Sequence, residues 1–261
     1  MSIWIPGGYK EPEPYAPPTW SDGTDTEIVT ALEKHYAGQV DLTQYWSVGD
    51  ERTVSLSAMS TYWDWIGATE VFDAQDTTMV ILNVGGKELV TSIGEHTECT
   101  FIVGLKNCLN KHTMMNQQST NNNGWDGCDR RTWCNTDFYN SIPSTIRSIF
   151  KQHKNITADS GYTSITKISN DYFSLAAEKE IFGYNTYANS TAESSLSQFD
   201  YYKTASNIIK TLGSGSSVLY WQRSPDKSYN GVAFCAVASN GNPGQYTASS
   251  FGAGIAPFGV I

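Results

Sequence analysis

The chain lacks the sequence motifs of the common enzyme classes. Its 261 residues contain no G-x-S-x-G nucleophile elbow, no P-loop and no G-x-G-x-x-G that opens a helix. The carboxylates are scattered, and the sequence does not place two of them at a catalytic distance. We therefore predict that the protein is not an enzyme, and we assign no catalytic residue.

Metal-binding spacing is also missing. The five cysteines, Cys99, Cys108, Cys128, Cys134 and Cys235, include no C-x-x-C pair. The four histidines stand alone, without an H-x-H or H-E-x-x-H pattern. These absences predict free, mostly buried thiols and no metal or cofactor.

Long apolar runs and positive charge are scarce. No apolar run approaches the ~20 residues that cross a bilayer, and the start, MSIWIPGGYKEPEPY, lacks the basic and apolar regions of a signal peptide. The 17 Lys and Arg face 26 Asp and Glu, which gives a net charge of −9 without a basic cluster. The sequence predicts no membrane insertion, no nucleic-acid partner and folding in the cytoplasm.

Proline and aromatic residues are concentrated at the N-terminus. Five of the nine prolines lie within residues 1–20, together with Trp4, Ile5, Tyr15 and Trp20. This composition predicts an extended arm that packs on its own domain or on a neighbouring subunit. A disordered terminus is the alternative.

The segments that follow carry local folding signals. The capping box Thr24-x-x-Glu27 predicts a helix that ends near Gly38. The apolar runs 79–84 and 88–93, joined through two glycines, predict a β-hairpin.

Two further helices are predicted in the middle of the chain. The first, 129–139, turns Trp133 and Phe138 inward, and the second follows Pro143 and carries Ile146, Ile149 and Phe150. The Asn-rich stretch 116–129 before them predicts a surface loop.

The C-terminal tail, 217–261, alternates apolar runs with small polar residues. The runs 218–221, 232–237 and 254–261 predict three strands that present two solvated loops. Adaptable loops on a rigid scaffold are typical of binding surfaces, although an ordinary loop-rich end of a β-rich domain is the alternative. Arg223 shares a strand face with Trp221, so we predict that it is buried and pairs with backbone carbonyls or a carboxylate.

Short motifs occur in a characteristic order from about Tyr45 to Ile261. They are Trp46-x-Val48-Gly49-Asp50, Gly124-Trp125, Arg131-x-Trp133-Cys134-Asn135, the run 171–180, Tyr220-Trp221-x-Arg223-Ser224-Pro225 and Gly254-Ile255-Ala256-Pro257. This order resembles an uncharacterised bacterial and phage domain family. The family looks related to the C-type-lectin-like fold of formylglycine-generating enzymes and of variable proteins diversified by retroelements.

The resemblance implies an α+β, C-type-lectin-like fold with small twisted antiparallel sheets, two main helices and extensive loops. It covers residues 45–261 as a ligand-binding domain, and it leaves residues 1–44 as an N-terminal Pro/aromatic arm and helix.

In the diversified relatives the middle of this tail is the ligand-binding face, and its variable positions derive from Asn codons. The implied binding residues are Gln222, Asp226, Lys227, Ser228, Tyr229, Asn230, Ala236, Ala238, Asn242, Gln245, Tyr246, Thr247 and Phe251. The codon rule does not admit Gln222, Lys227 and Gln245, which are included because they lie in the same segment. Tyr229 and Tyr246 are the expected anchors.

The resemblance favours a phage tail-associated receptor-binding protein over two alternatives. Its expected partner is a host-cell surface protein or glycan, its expected oligomer is a trimer formed through the arm, and its expected location is the virion, or the cytoplasm if no phage encodes it. One alternative is an enzyme of the formylglycine-generating type, although that family uses a cysteine pair near the C-terminus and only Cys235 lies there. The other is a cytoplasmic bacterial ligand-binding protein.

Overall fold

The computed structural model describes residues 15–213 and 215–261. In these ranges the chain is mixed helix and sheet, 18% helical and 34% strand, with small antiparallel sheets and few helices. Most of the predicted N-terminal arm, including Trp4 and Ile5, lies outside the described residues. The prediction that this arm forms a trimer therefore also falls outside them.

Helices are short, apart from the first. They are α1 Asp25–Tyr36, α2 Asp129–Trp133, α3 Tyr139–Ser141, α4 Ser144–Arg147 and α5 Glu178–Phe182. A π-helical turn, Cys134–Phe138, joins α2 to α3, and three-residue or four-residue 3-10 turns lie at Leu42–Gln44, Asp200–Lys203 and Ala205–Asn207.

Fourteen strands form four sheets in the described residues, and every pairing between strands is antiparallel. The strands are β1 Glu51–Leu56, β2 Met59–Trp63, β3 Ala68–Phe72, β4 Gln75–Val84, β5 Glu88–Ile93, β6 His96–Glu98, β7 Phe101–Leu105, β8 His153–Ala158, β9 Thr166–Asp171, β10 Phe173–Ser174, β11 Tyr220–Pro225, β12 Ala233–Val237, β13 Pro243–Thr247 and β14 Phe258–Val260. The sheets have the orders β1-β4-β7-β14-β10, β6-β5-β8-β9, β11-β12-β13 and β2-β3.

Helix α1 begins where its capping box predicts. The Glu27 backbone N–H donates to Thr24 Oγ1 at 3.3 Å, and the Thr24 backbone N–H donates to Glu27 Oε2 at 2.8 Å. Its buried face, which includes Ile28 and Leu32, belongs to the same apolar cluster as Trp46. The helix therefore packs on the core of the region that follows it.

The predicted hairpin between residues 79–84 and 88–93 is wrong, although both strands exist. Gly85 and Gly86 adopt positive φ angles of 64° and 90°, as a tight turn requires. Gly85 N–H, however, donates to the carbonyl of Thr100, and Cys99 N–H donates to that of Lys87. The turn is thus bound to the segment before β7, so β4 enters the five-stranded sheet and β5 enters the four-stranded one.

Of the two helices predicted after the Asn-rich loop, the first agrees with the structure. Trp133 and Phe138 are buried, as predicted. The second predicted helix is reduced to the single turn α4, and Ile149 and Phe150 are buried just beyond its end. All five cysteines are free and buried, which confirms the prediction for the thiols.

The tail ends inside the largest sheet. Strand β14 lies between β7 and β10, and Phe258 and Val260 are at most 1% exposed. The predicted buried strand over residues 254–261 is confirmed for Phe258–Val260, whereas residues 254–257 lie outside any strand. Strand β13 was not predicted, because Pro243–Thr247 has neither an apolar run nor clear alternation.

Candidate functional site

Strand β11 of the tail is anchored by a buried ion pair. Arg223 is 0% exposed and donates through both terminal nitrogens to the carboxylate of Glu180 on α5. It also donates to the Leu175 carbonyl at 2.8 Å, so the predicted burial and pairing of Arg223 are confirmed. Glu180 accepts further bonds from Lys87 Nζ and from Ala177 N–H. Burial alone would raise the pKa of Glu180, but the charges of Arg223 and Lys87 hold it at about 2.

A second buried carboxylate, Asp171, is joined to this pair by Asn155. The Asn155 amide donates to Asp171 Oδ2 at 3.0 Å, and its carbonyl oxygen accepts from Lys87 Nζ at 3.3 Å. The other donors to Asp171 are Trp125 Nε1, Arg131 Nε, Asn135 Nδ2 and Ser169 Oγ. A carboxylate buried without such partners would be strongly destabilising. The motif residues of three distant segments therefore meet in one hydrogen-bonded network inside the protein.

The segment 184–194 is fixed over β11 by two more buried carboxylates. Glu178 accepts backbone N–H bonds from residues 186–188 at 2.7 to 3.1 Å. Glu193 Oε2 accepts from Ser224 Oγ at 2.9 Å, while Oε1 has no partner among the described residues. Burial raises the pKa of Glu193 to about 7.

The thirteen tail positions implied as binding residues fall into three groups. Buried residues are Gln222, Asp226 and Ala236; partly buried residues are Ala238, Gln245, Tyr246 and Thr247; exposed residues are Lys227, Ser228, Tyr229, Asn230, Asn242 and Phe251. Segment 184–194 explains part of this division. Asp226 forms a β-bridge with Ala188, and Lys227 N–H donates to the Tyr187 carbonyl, so the end of β11 is covered.

Of the two expected anchors, only Tyr229 is exposed. Its side chain is 51% exposed, whereas the ring of Tyr246 packs 5.6 Å from that of Trp221, beside the main core. The physical reason is that β13 pairs with the fully buried β12, which turns Tyr246 toward the core.

The exposed loop between β11 and β12 meets a second exposed tyrosine. Tyr162, in the loop between β8 and β9, is 59% exposed and donates from its hydroxyl to Asn230 Oδ1 at 3.2 Å. We call the residues Tyr162 and 227–230 the tail face. Sequence reasoning missed Tyr162, because no local pattern links it to a loop 68 residues away.

The base of the tail face is held by one buried amide. Asn121 donates to the carbonyls of Asp226 and Ala233 at 3.0 and 2.8 Å, and its backbone N–H donates to the Gly231 carbonyl. Asn230 and Gly231 adopt positive φ angles of 49° and 72°, which suit Asn and Gly. The Asn-rich loop thus supports the tail face from below.

A cleft of about 450 Å³ lies beside the buried ion pair. Its lining includes Lys87 and Glu180, the outward side chains of β8 and β9, and the segment 195–199. We call it the Lys87 cleft. Nothing in the local sequence marks it, since its walls come from six separate stretches of chain.

Other kinds of site are not found in residues 15–213 and 215–261. These ranges hold no group of three or more His, Cys, Asp or Glu side chains arranged to bind a metal ion. None of their helices combines the length and apolar character needed to cross a bilayer.

Comparison with known proteins gives a family and no further relative. No curated protein matches the chain, and no solved structure does. One family, described as a domain of unknown function (DUF6273), matches residues 100–258, which contain the polar network apart from Lys87, the tail face and most of the tail. Because that match covers more than half of the chain, the protein belongs to the DUF6273 family.

Proposed function

We propose that this protein is a receptor-binding protein that contacts a host-cell surface protein or glycan through the tail face. The observation that carries the proposal is the exposed run 227–230 between two buried strands, in which Asn230, next to Tyr229 in the chain, is hydrogen-bonded to the exposed Tyr162. The chemistry of this face is that of a recognition surface. Tyrosine gives contact area at low entropic cost, and Ser and Asn give adaptable hydrogen bonds.

The scaffold under the face supports recognition with little reorganisation. Arg223 fixes β11 through Glu180, and Asn121 fixes both ends of the loop. A loop whose base is held in one geometry loses less conformational entropy on binding.

A binding function is favoured over an enzymatic one because the tail cysteine, Cys235, is buried. Cys235 is 0% exposed, and burial raises its pKa well above the usual thiol range. A thiol nucleophile needs a depressed pKa and access to substrate.

The finer parts of the proposal rest on the order of motifs between Tyr45 and Ile261. We propose on that basis a C-type-lectin-like fold, a phage tail-associated role in the virion and assembly as a trimer. The small antiparallel sheets, few helices and long loops are compatible with that fold.

The test measures binding of fluorescently labelled protein to intact cells of a panel of candidate host bacteria. The variant Tyr162→Ala/Tyr229→Ala should lose cell binding by at least about tenfold, because aromatic residues dominate interface energies. Tyr45→Ala is the matched control, since Tyr45 is 52% exposed and lies outside the tail face. All three proteins should melt at nearly the same temperature.

Two results would contradict the proposal. One is equal cell binding by the double variant and the wild type, which would place recognition elsewhere on the molecule. The other is a failure of the wild-type protein to bind any cell in the panel.

A further inference from the structure

The Lys87 cleft is bounded by parts of the chain with different chemical character. Its lining includes Ile156 and Ile168, which are cross-strand partners on the outer face of β8 and β9. Segment 195–199 also lines it and supplies Leu196 and Phe199 together with two serines and Gln198. Its volume, about 450 Å³, is in the range of small-molecule sites.

The inner end of the cleft carries an ammonium group. Lys87 and Glu180 line the cleft although their side chains are only 5% and 1% exposed. Lys87 donates to Glu180 and to Asn155 Oδ1. An ammonium has three donors, so one N–H remains for a group that occupies the cleft.

Two buried cations beside the cleft share one contacting carboxylate. Lys87 and Arg223 both pair with Glu180. The nearby carboxylate of Asp171 contacts Arg131, which also pairs with Asp126, and Glu193 bonds to Ser224. Lys87 therefore has no contacting carboxylate besides the one it shares with Arg223. Burial lowers the pKa of Lys87 even with Glu180 beside it, so a second anion would be stabilising here.

The carboxylates at the outer rim of the cleft do not cancel its preference for a bound anion. Glu88 is bound by Lys154, which neutralises it. Glu98 is exposed, where solvent and salt screen its charge. The rings of Phe199 and Phe258 lie 5.8 and 5.5 Å from Lys87 Nζ and keep the ammonium in apolar surroundings.

We infer that the Lys87 cleft is a binding site for a small carboxylate with an apolar body. The carboxylate accepts from Lys87, and the apolar body lies between Ile156, Ile168 and Leu196. This site shares no residue with the tail face, so it goes beyond the receptor-binding function and does not depend on it.

Two probes with the same branched apolar body test the preference for a carboxylate. Isocaproate carries a carboxylate, and isoamylamine carries an ammonium in its place. Isothermal titration calorimetry of the full chain should show saturable binding of isocaproate at one site per chain. Isoamylamine should bind at least about tenfold more weakly, since it would place a second cation beside Lys87.

Matched variants locate the site. Ile168→Glu puts a carboxylate on the cleft wall, and it should weaken isocaproate binding by at least about tenfold. Ile165→Glu is its control, because Ile165 and Ile168 are 60% and 59% exposed and only Ile168 lines the cleft. Lys87→Gln should abolish binding; if that variant does not fold, the isoleucine pair still decides the question.

The inference is overturned if isocaproate shows no saturable binding, if isoamylamine binds as well as isocaproate, or if Ile168→Glu and Ile165→Glu behave alike. The Tyr162→Ala/Tyr229→Ala variant should bind isocaproate like the wild type. If this variant loses cell binding and still binds isocaproate normally, the tail face and the Lys87 cleft are separate sites. The two proposals can therefore succeed or fail independently.

Discussion

Arg223 and Glu180 join the C-terminal tail to helix α5 through a two-pronged ion pair in which both side chains are at most 1% exposed. The planar guanidinium matches the two carboxylate oxygens, a geometry that fixes direction as well as distance. The pair therefore sets the position of β11 relative to the polar network that contains Asp171. The exposed run 227–230, which includes Tyr229, begins two residues after the end of this strand.

Breaking this pair should strongly destabilise the fold. Arg223→Ala leaves Glu180 with one cation fewer, and loss of one partner of a buried pair typically costs about 3–5 kcal/mol. Lys154→Ala breaks the exposed pair with Glu88 and should cost less than about 1 kcal/mol. Urea unfolding followed by circular dichroism measures both values. Similar losses for the two variants would show that the buried pair has no special role.

Glu193 should make stability fall as pH rises. Its pKa is about 7 in the folded protein, above the ordinary value of 4.5, so its contribution is fully present below pH 4.5 and is lost as pH rises through 7. Relative to Glu193→Gln, the wild type should therefore lose on the order of 3 kcal/mol across this window. The control is Glu95→Gln, in the exposed turn between β5 and β6. Unfolding free energies at pH 4.5, 6 and 8 test this; a constant difference between wild type and Glu193→Gln would contradict it.

The last strand should be essential for folding. Phe258 is 1% exposed on β14, an interior strand of the five-stranded sheet, whereas Phe251 is 49% exposed. Phe258→Ala should cost about 3–5 kcal/mol and Phe251→Ala less than about 0.5 kcal/mol. Deletion of residues 254–261 should abolish cooperative melting. An unchanged melting transition in the truncated chain would show that the sheet forms without β14.

Metal removal should leave stability unchanged. The described residues offer no cluster of three metal-ligating side chains of the His, Cys, Asp or Glu type. Melting with and without EDTA, together with elemental analysis of the purified protein, tests this expectation. A stoichiometric ion whose removal lowers the melting temperature would refute it. Calcium is the ion to examine first, because loop carbonyl and amide oxygens can bind it with little trace in the sequence.

Local features were determined by the sequence itself. The capping box and apolar spacing specify α1, because both act within a few residues. The two-residue period of a strand was enough to predict that Arg223 is buried near Trp221. The apolar run at the C-terminus likewise predicted a buried final strand.

The pairing of strands and the contacts between distant segments could be seen only in the tertiary structure. Strands β4 and β5 are adjacent in sequence, yet each is stabilised by partners from elsewhere, and local turn geometry cannot choose between such pairings. Gln222 and Asp226 have polar side chains that suggest a surface, but the first lies on the fully buried strand β11 and segment 184–194 covers the second. The same packing of distant segments brings Tyr162 to Asn230 and forms the walls of the Lys87 cleft. Such contacts join residues far apart in the chain, so they form only when the sheets assemble around a common core.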